Sequence, residues 1–309
     1  MAVASALSAY GIQVETAQSS PSPGSASERM AEEILPTGMK ITPLAAPGAM
    51  FEAMNPDLSS RPDFIAGQAV TAAISPDGTT MLVLTSGYNR NYGSDGNAIA
   101  GESNEYVFVY DIASGKPKKL QVLQVPNTFQ GIAWNPKGHE FYVAGGVDDN
   151  VHVFVKSVNG WANGVTIKLD HVNGLGLFVQ PVAGGLAVNP SGTRLLVANF
   201  QNDSISFIDL VNRTKAGELD LRPGKITPQE SGIAGGEYPF GIVFEGDDNA
   251  FVTSERDREI VVLTVDGDAL SVTDRIKVTG QPNNMILNRA RTRLFAALDN
   301  SDSVAVIDT

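Results

Sequence analysis

The chain has 309 residues, 22 basic against 34 acidic side chains for a net charge of −12, and no cysteine. That balance argues against nucleic acid, whose binding rests on Lys and Arg contacts to phosphates, and against anionic membrane surfaces. The missing cysteines exclude disulfides, thiolate metal sites and a cysteine nucleophile, while the length suits one large all-β domain with a substantial core.

Residues Ala2 to Val14 are mildly apolar and small, and Thr16 to Arg29 are rich in Ser, Pro and Gly. An apolar stretch before a polar spacer resembles the end of an export signal, although the first basic residue is Arg29 and the usual positive start is missing. Residues 1–33 therefore read either as a clipped export signal, implying a periplasmic or extracellular protein, or as a disordered tail. No run is long enough to span a membrane as a helix.

From there on, a tight turn recurs just before an apolar strand. Ser75-Pro76-Asp77-Gly78 precedes Met81–Leu84, Asn135-Pro136-Lys137-Gly138 precedes Phe141–Val143, and Asn189-Pro190-Ser191-Gly192 precedes Leu195–Val197. Degenerate copies stand at Glu245–Asp248 before Phe251-Val252 and at Asn288–Arg291 before Leu294-Phe295. Proline presets φ at the second turn position, and Gly or Asn accepts positive φ later, so these are hairpin turns. Four residues before each turn sits a small or polar residue: Thr71, Gly131, Gly185, Gly241 and Asn284. Glycine weakens a strand unless another backbone approaches closely, as around the axis of a propeller.

About twelve residues after each turn, an Asn/Asp-containing second turn opens another strand, as at Asp149-Asn150, Asn202-Asp203 and Ser301-Asp302. The unit is four strands joined by short turns, and Glu245 and Asn288 lie 43 residues apart, about one four-stranded blade. The expected fold is an all-β propeller of four-stranded antiparallel blades, starting near residues 70, 130, 184, 240 and 283, with residues 34–64 as closing strand and lead-in. Four blades and most of a fifth are present. Two architectures are open: a fragment of a seven-bladed ring, or a five-blade ring in which Met39–Leu44 supplies the last outer strand.

The stretches Leu196–Asp209 and Leu294–Asp308 resemble the YVTN repeat, and the resemblance covers roughly residues 65 to 309. A narrower likeness lies in Leu84–Arg90, Glu218–Lys225 and Gly235–Phe240, which are similar to exported bacterial propellers that precede an alkaline-phosphatase-like phosphoesterase domain. The seven-bladed expectation comes from this resemblance.

Three insertions interrupt the repeat: Gly87–Ser103, Asn173–Ala183 and Lys225–Pro239. Threaded through four-stranded blades, all three emerge on one face, opposite the Pro/Gly turns. Long loops on a rigid scaffold are where binding concentrates. The candidate binding residues there are Tyr88, Asn89, Arg90, Tyr92, Asp95, Phe178, Gln180, Glu237, Tyr238 and Phe240. The competing structural reading has Tyr238 and Phe240 plugging the gap between blades and Arg90 paired with a carboxylate. Asn89, Asn91, Asp95 and Asn97 offer oxygen ligands for calcium or another divalent ion, though a solvated polar loop explains them more simply. His139, His152 and His171 lack zinc-site spacing and read as structural or surface groups.

The functional expectation is a non-catalytic binding or scaffolding propeller, presenting its loop-rich face to a protein partner or to a downstream phosphoesterase domain. The alternative is a metal-dependent, lactonase-like hydrolase with ligands scattered around the channel mouth, a pattern no local motif reveals.

Overall fold

The computed structural model describes residues 33–34, 38, 40–41, 52–87, 89–171, 181–267 and 269–309, and the chain divides into two compact units, Met1–Ala53 and Met54–Thr309. In the first, β1 (Glu33–Ile34) and β2 (Lys40–Ile41) pair antiparallel. The second holds five antiparallel sheets, each following chain order from inner to outer strand. Blade one is β3 (Ala69–Ile74), β4 (Thr80–Thr85), β5 (Glu105–Asp111) and β6 (Lys118–Val125). Blade two is β7 (Ile132–Trp134), β8 (Glu140–Ala144), β9 (Asn150–Ser157) and β10 (Gly160–Lys168). Blade three is β11 (Ala183–Val188), β12 (Arg194–Asn199), β13 (Ser204–Asp209) and β14 (Thr214–Asp220). Blade four is β15 (Pro239–Phe244), β16 (Asn249–Ser254), β17 (Glu259–Asp266) and β18 (Ala269–Lys277). Blade five has three strands among the described residues: β19 (Gln281–Leu287), β20 (Arg293–Asp299) and β21 (Ser303–Asp308).

The second strands read as unbroken apolar runs because both of their faces are covered. Successive strand side chains point to opposite faces. In β12, Leu195 and Val197 pack with Tyr142, Val151 and Val153 of blade two. Leu196 and Ala198 pack with Phe244, Val252 and Val261 of blade four. The same division joins blade one to blade two through Leu82, Val107, Phe141 and Phe154. Blade four meets blade five through Phe251, Ile260, Leu294 and Leu298. Burying one such side chain contributes about 1.5–3 kcal/mol, so the seams carry the stability and no blade stands alone.

At the axis the inner strands approach backbone to backbone. Thr71 donates its hydroxyl to the Gln130 carbonyl at 2.7 Å. At the equivalent place in blades two and three, a Cβ on Gly131 or Gly185 would overlap the carbonyl oxygen of Gly184 or Phe240. One on Gly241 would lie 2.8 Å from that of Asn283. Asn284, the fifth member, is exposed. The glycines mark the seams, as the crowding argument requires.

The two ends of the series differ. Against blade one, residues of the lead-in, Met54, Leu58, Phe64 and Ala66, pack on Tyr106, Phe108 and Tyr110 and cap the outward side of that sheet. Blade five has no such cover among the described residues: Ile286, Val304 and Val306 are 68%, 61% and 57% exposed, whereas Ile205 and Phe207, the blade-three counterparts of Val304 and Val306, are 0% and 1% exposed.

The expectation of a seven-bladed ring fragment is corrected here. The described residues of Met54–Thr309 form five blades, one for each hairpin turn, because each turn joins the first two strands of one blade. The closing strand proposed at Met39–Leu44 also differs: Lys40–Ile41 pairs with Glu33–Ile34. Met39 and Thr42–Leu44 lie outside the described residues.

Two contrasts test this packing. Gly185→Ala is expected to cost more than about 3 kcal/mol in urea unfolding, since backbone rather than a movable side chain must yield. Gly246→Ala, where a Cβ meets open space, is expected to change stability by less than about 0.5 kcal/mol. Likewise Phe207→Ala is expected to cost about 3–5 kcal/mol, and Val306→Ala, at the same repeat position on the uncovered blade, less than about 0.5 kcal/mol. Equal losses within either pair would contradict the seam assignment.

Candidate functional site

All three insertions leave the same end of the blades, where the second strand of a sheet ends, the third begins and the fourth hands over to the next blade. The first and the third are tied down by a buried acid. For the first insertion this is Glu105, the first residue of β5 and 7% exposed. Its carboxylate accepts from Thr85 Oγ1 at 2.9 Å, from the Gly87 amide at 3.1 Å and from Asn89 Nδ2 at 2.7 Å. Beyond this anchor Tyr92 bridges to Ala98, and Arg61 holds both Glu102 and the Tyr92 carbonyl at 2.8 Å.

The sequence candidates on this loop separate. Asn89 is buried, with Oδ1 accepting from the Gly67 amide at 2.7 Å. Arg90, Tyr92 and Asp95 are exposed, and Arg90 has no carboxylate partner among the described residues. Tyr88 lies outside the described residues. The four oxygens considered for calcium do not converge. Asn91 donates to the Glu102 carbonyl at 2.7 Å, and Asp95 accepts from the amide and side chain of Asn97, which together lower the Asp95 pKa. Among the described residues, no group of three or more His, Asp or Glu side chains is arranged to hold a metal ion.

The second insertion begins at an ion network. His171, with its side chain 2% exposed, lies 2.6 Å from Asp149 through Nδ1 and 2.8 Å from Glu218 through Nε2. Glu218 also pairs with Lys215 and accepts from Ser204 Oγ at 2.5 Å. Burial alone would lower the His171 pKa, but the hydrogen bonds to Asp149 and Glu218 outweigh it and raise it to about 9. Burial alone would raise the Glu218 pKa, but hydrogen bonds from His171, Lys215 and Ser204 bring it to about 2. Phe178 and Gln180, the candidates further along, lie outside the described residues.

The third insertion carries a single helical turn, α1 (Pro223–Ile226), and a 3-10 turn at Pro228–Glu230. Its anchor is Glu259, fully buried, which pairs with Arg275 at 2.6 Å and Lys277 at 2.7 Å and accepts from the Gly236 amide at 2.8 Å. Past it the chain delivers Glu237, Tyr238 and Phe240. Tyr238 has φ +54°, uncommon for a bulky residue, but Gln68 and Val182, at the same place before the inner strands of blades one and three, share it with φ +48° and +51°. The conformation is thus architectural. It is held by the Tyr238 amide donating to Asp203 Oδ1 at 3.1 Å.

Here the structure joins residues that the sequence leaves apart. Tyr238 stacks on Phe200 at 5.0 Å, and Phe240 meets Phe129 edge-on at 5.9 Å and Phe200 at 6.0 Å. Phe129 and Phe200 lie 5.3 Å apart. The four rings, half-buried, come from blades two, three and four. The Phe129 ring packs over the Gly184 backbone, 3.4 Å from where a Cβ there would be. Arg256 lies over Tyr238 at 5.9 Å and pairs with Glu237 at 2.7 Å. Tyr238 and Phe240 thus fill the junction between blades, as the structural reading held, while part of each stays open to solvent. No hydrogen bond or ion pair joins this cluster to Arg90, Tyr92 or Asp95 among the described residues.

Sequence reasoning missed Phe129, Phe200, Arg256 and Glu255. Phe200 and Glu255 occupy the same place, directly after β12 and β16, so aligning the repeats by strand end would have paired them. The Glu255 amide donates to the Tyr238 carbonyl at 3.1 Å, and its carboxylate has no hydrogen-bond partner among the described residues. Burial, with a smaller contribution from Asp299, raises the Glu255 pKa to about 7.

The His171 network yields a pH dependence. Its folded pKa stands above the unfolded value near 6.5, so its stabilisation is complete below about pH 6.5 and lost as pH rises through about 9. Wild-type stability is expected to fall across that interval by on the order of 3 kcal/mol, and His171→Gln to flatten the profile there. A variant whose profile matches wild type between pH 6.5 and 9.5 would show that His171 is not the titrating group.

No family model and no curated protein sequence matches the chain. Among solved structures, it is similar to a candidate 6-phosphogluconolactonase from Bacteroides uniformis, at 15% identity over 80% of this chain and 69% of that one, with a TM-score of 0.59. It is similar to the periplasmic gluconolactonase of Pseudomonas aeruginosa, at 13% identity over 80% and 74%, with a TM-score of 0.53. A chain of the mitotic checkpoint complex matches at 13% identity over 77% and 73%, also with a TM-score of 0.53. At these identities the likeness shows the fold alone: a β-propeller.

Proposed function

We propose that the chain is a binding propeller that presents its loop-bearing face to a protein partner. The observation that carries this reading is the cluster of four half-buried aromatic rings drawn from three blades. It lies on the face from which the three insertions emerge, held by buried Glu105 and Glu259. Rigid aromatic groups flanked by Arg are the usual anchors of protein interfaces. The likeness of Glu218–Lys225 and Gly235–Phe240 to exported propellers that precede a phosphoesterase domain supports a partner of that kind outside the cytoplasm. A display library of peptides panned against the intact chain tests the reading. Selected ligands are expected to lose at least about tenfold in affinity, about 1.4 kcal/mol, to a Phe200→Ala/Tyr238→Ala double variant of unchanged fold. Ligands that bind the variant equally well would overturn it.

One observation favours a second reading, a hydrolase acting at the channel mouth. Glu255 is a half-buried carboxyl with its pKa raised to about 7, suited to proton transfer near neutrality, and two of the similar structures are named for lactone hydrolysis. Gluconolactone turnover with an inflection near pH 7 that Glu255→Gln abolishes would support it; absence of turnover at every pH would discard it.

A further inference from the structure

The fourth strand of each of the first four blades carries one extra residue against the third. In β18 it is Thr273: Val262 pairs with Asp274, and Leu263 with Val272. Leu120 and Ala216 stand at the corresponding places of β6 and β14, and the shift in β10 falls between Asn163 and Thr166. Such a bulge interrupts the row of unpaired donors and acceptors that an edge strand offers to another strand. The rim of these four blades is therefore poorly suited to strand addition. A bulge also re-aims the side chains beside it, and at blade four the third insertion stands against it and encloses a cleft.

This cleft lies between β18 and the two turns of the insertion, α1 and Pro228–Glu230, and holds about 320 Å³. Pro223, Ile226 and Val272 make its apolar walls, with Glu230 on the insertion side and Asp274 on the strand side. Its shape is fixed at both ends of the insertion. Arg275, which also lines the cleft, donates to the Leu221 carbonyl where the insertion starts and pairs with Glu259 at 2.6 Å. Glu259 in turn accepts from the Gly236 amide, where the insertion ends, at 2.8 Å. Between these points Gly224 lets the helical turn close on Ser231, because a Cβ there would lie 2.6 Å from the Ser231 Cα.

Charge and exposure select the occupant. The Arg275 guanidinium is met by Glu259. Glu230 and Asp274 are exposed, the Asp274 carboxylate accepts from the amide of the next residue, and neither acid forms an ion pair among the described residues. Ile226 keeps 39% of its surface in water. A long cationic side chain needs both parts of this arrangement, an apolar wall for its methylenes and acceptors for its head. Of the two such side chains arginine fits better, since its flat guanidinium donates in several directions at once and can serve carboxylates on both walls.

We propose that this rim cleft receives an arginine side chain of a partner protein, with its methylenes against Pro223, Ile226 and Val272 and its guanidinium between Glu230 and Asp274. The site shares no residue with the aromatic cluster and does not rest on the binding or hydrolase reading of that cluster.

The probe is acetylarginine amide, titrated into the intact chain with its Ile and Val methyls isotope-labelled for NMR. Saturable shifts are expected at the Ile226 and Val272 methyls, with a dissociation constant of about 1 mM. Acetylcitrulline amide, of nearly the same shape without the charge, is expected to bind at least about fivefold more weakly, the size of one or two exposed ion pairs. The arginine probe is expected to lose as much on a Glu230→Gln/Asp274→Asn double variant, whose methyl shifts away from the cleft report that its fold is kept. Shifts that never saturate, shifts centred elsewhere on the surface, equal binding of the citrulline probe, or undiminished binding by the double variant would each overturn the proposal.

Discussion

The close approach of one inner strand to the next fixes everything else in this fold. In blades two to four a carbonyl of the following blade stands where a Cβ would go, so Gly131, Gly185 and Gly241 carry none, and in blade one Thr71 reaches the Gln130 carbonyl through its hydroxyl. With the axial ends so tight, the sheets fan outward and their faces meet over a wedge that large side chains fill. Tyr142, Phe141 and Phe154 lie in that wedge in blade two, and Phe207 and Phe251 in blades three and four. The backbone contact sets the angle, and the apolar seams supply the energy.

Polar chemistry is confined to the ends of the seams for the same reason. Between the faces there is no room for a charge without a partner, and the acids that are buried there arrive with several donors each. Glu105 accepts from Thr85, Gly87 and Asn89, and Glu259 is enclosed by Arg275, Lys277 and the Gly236 amide. An unpaired buried carboxylate would cost several kcal/mol. These acids therefore do two jobs: they end the apolar seam, and they fix the first residues of loops that have no seam of their own.

Much of the fold was readable because it repeats. The Pro/Gly turns, the small residue four places before them and the apolar second strands each follow from a local rule that one sequence states several times. Blade number was misjudged in the direction of seven because that expectation came from a likeness, whereas the turns themselves count five. The site was less legible. Tyr238 and Phe240 stand out beside an insertion, but Phe129 and Phe200 sit in short turns within ordinary repeats. They join the cluster because the fold sets the connection before β7 beside the one after β12, with the two rings 5.3 Å apart, a fact of three-dimensional neighbourhood. Asn89 was taken for a surface group, yet its amide bridges Glu105 and the Gly67 amide, a role that polarity alone does not reveal.

The lead-in packed on blade one has a bearing on how the molecule is made. Met54, Leu58, Phe64 and Ala66 leave the ribosome before the sheet they cover, so the first blade emerges onto a wall that is already waiting for it. Each later blade then meets the finished face of its predecessor, and the growing chain exposes one raw surface at a time. The order of synthesis thus matches the order of packing, so the cover for each apolar sheet lies in the next repeat to be translated.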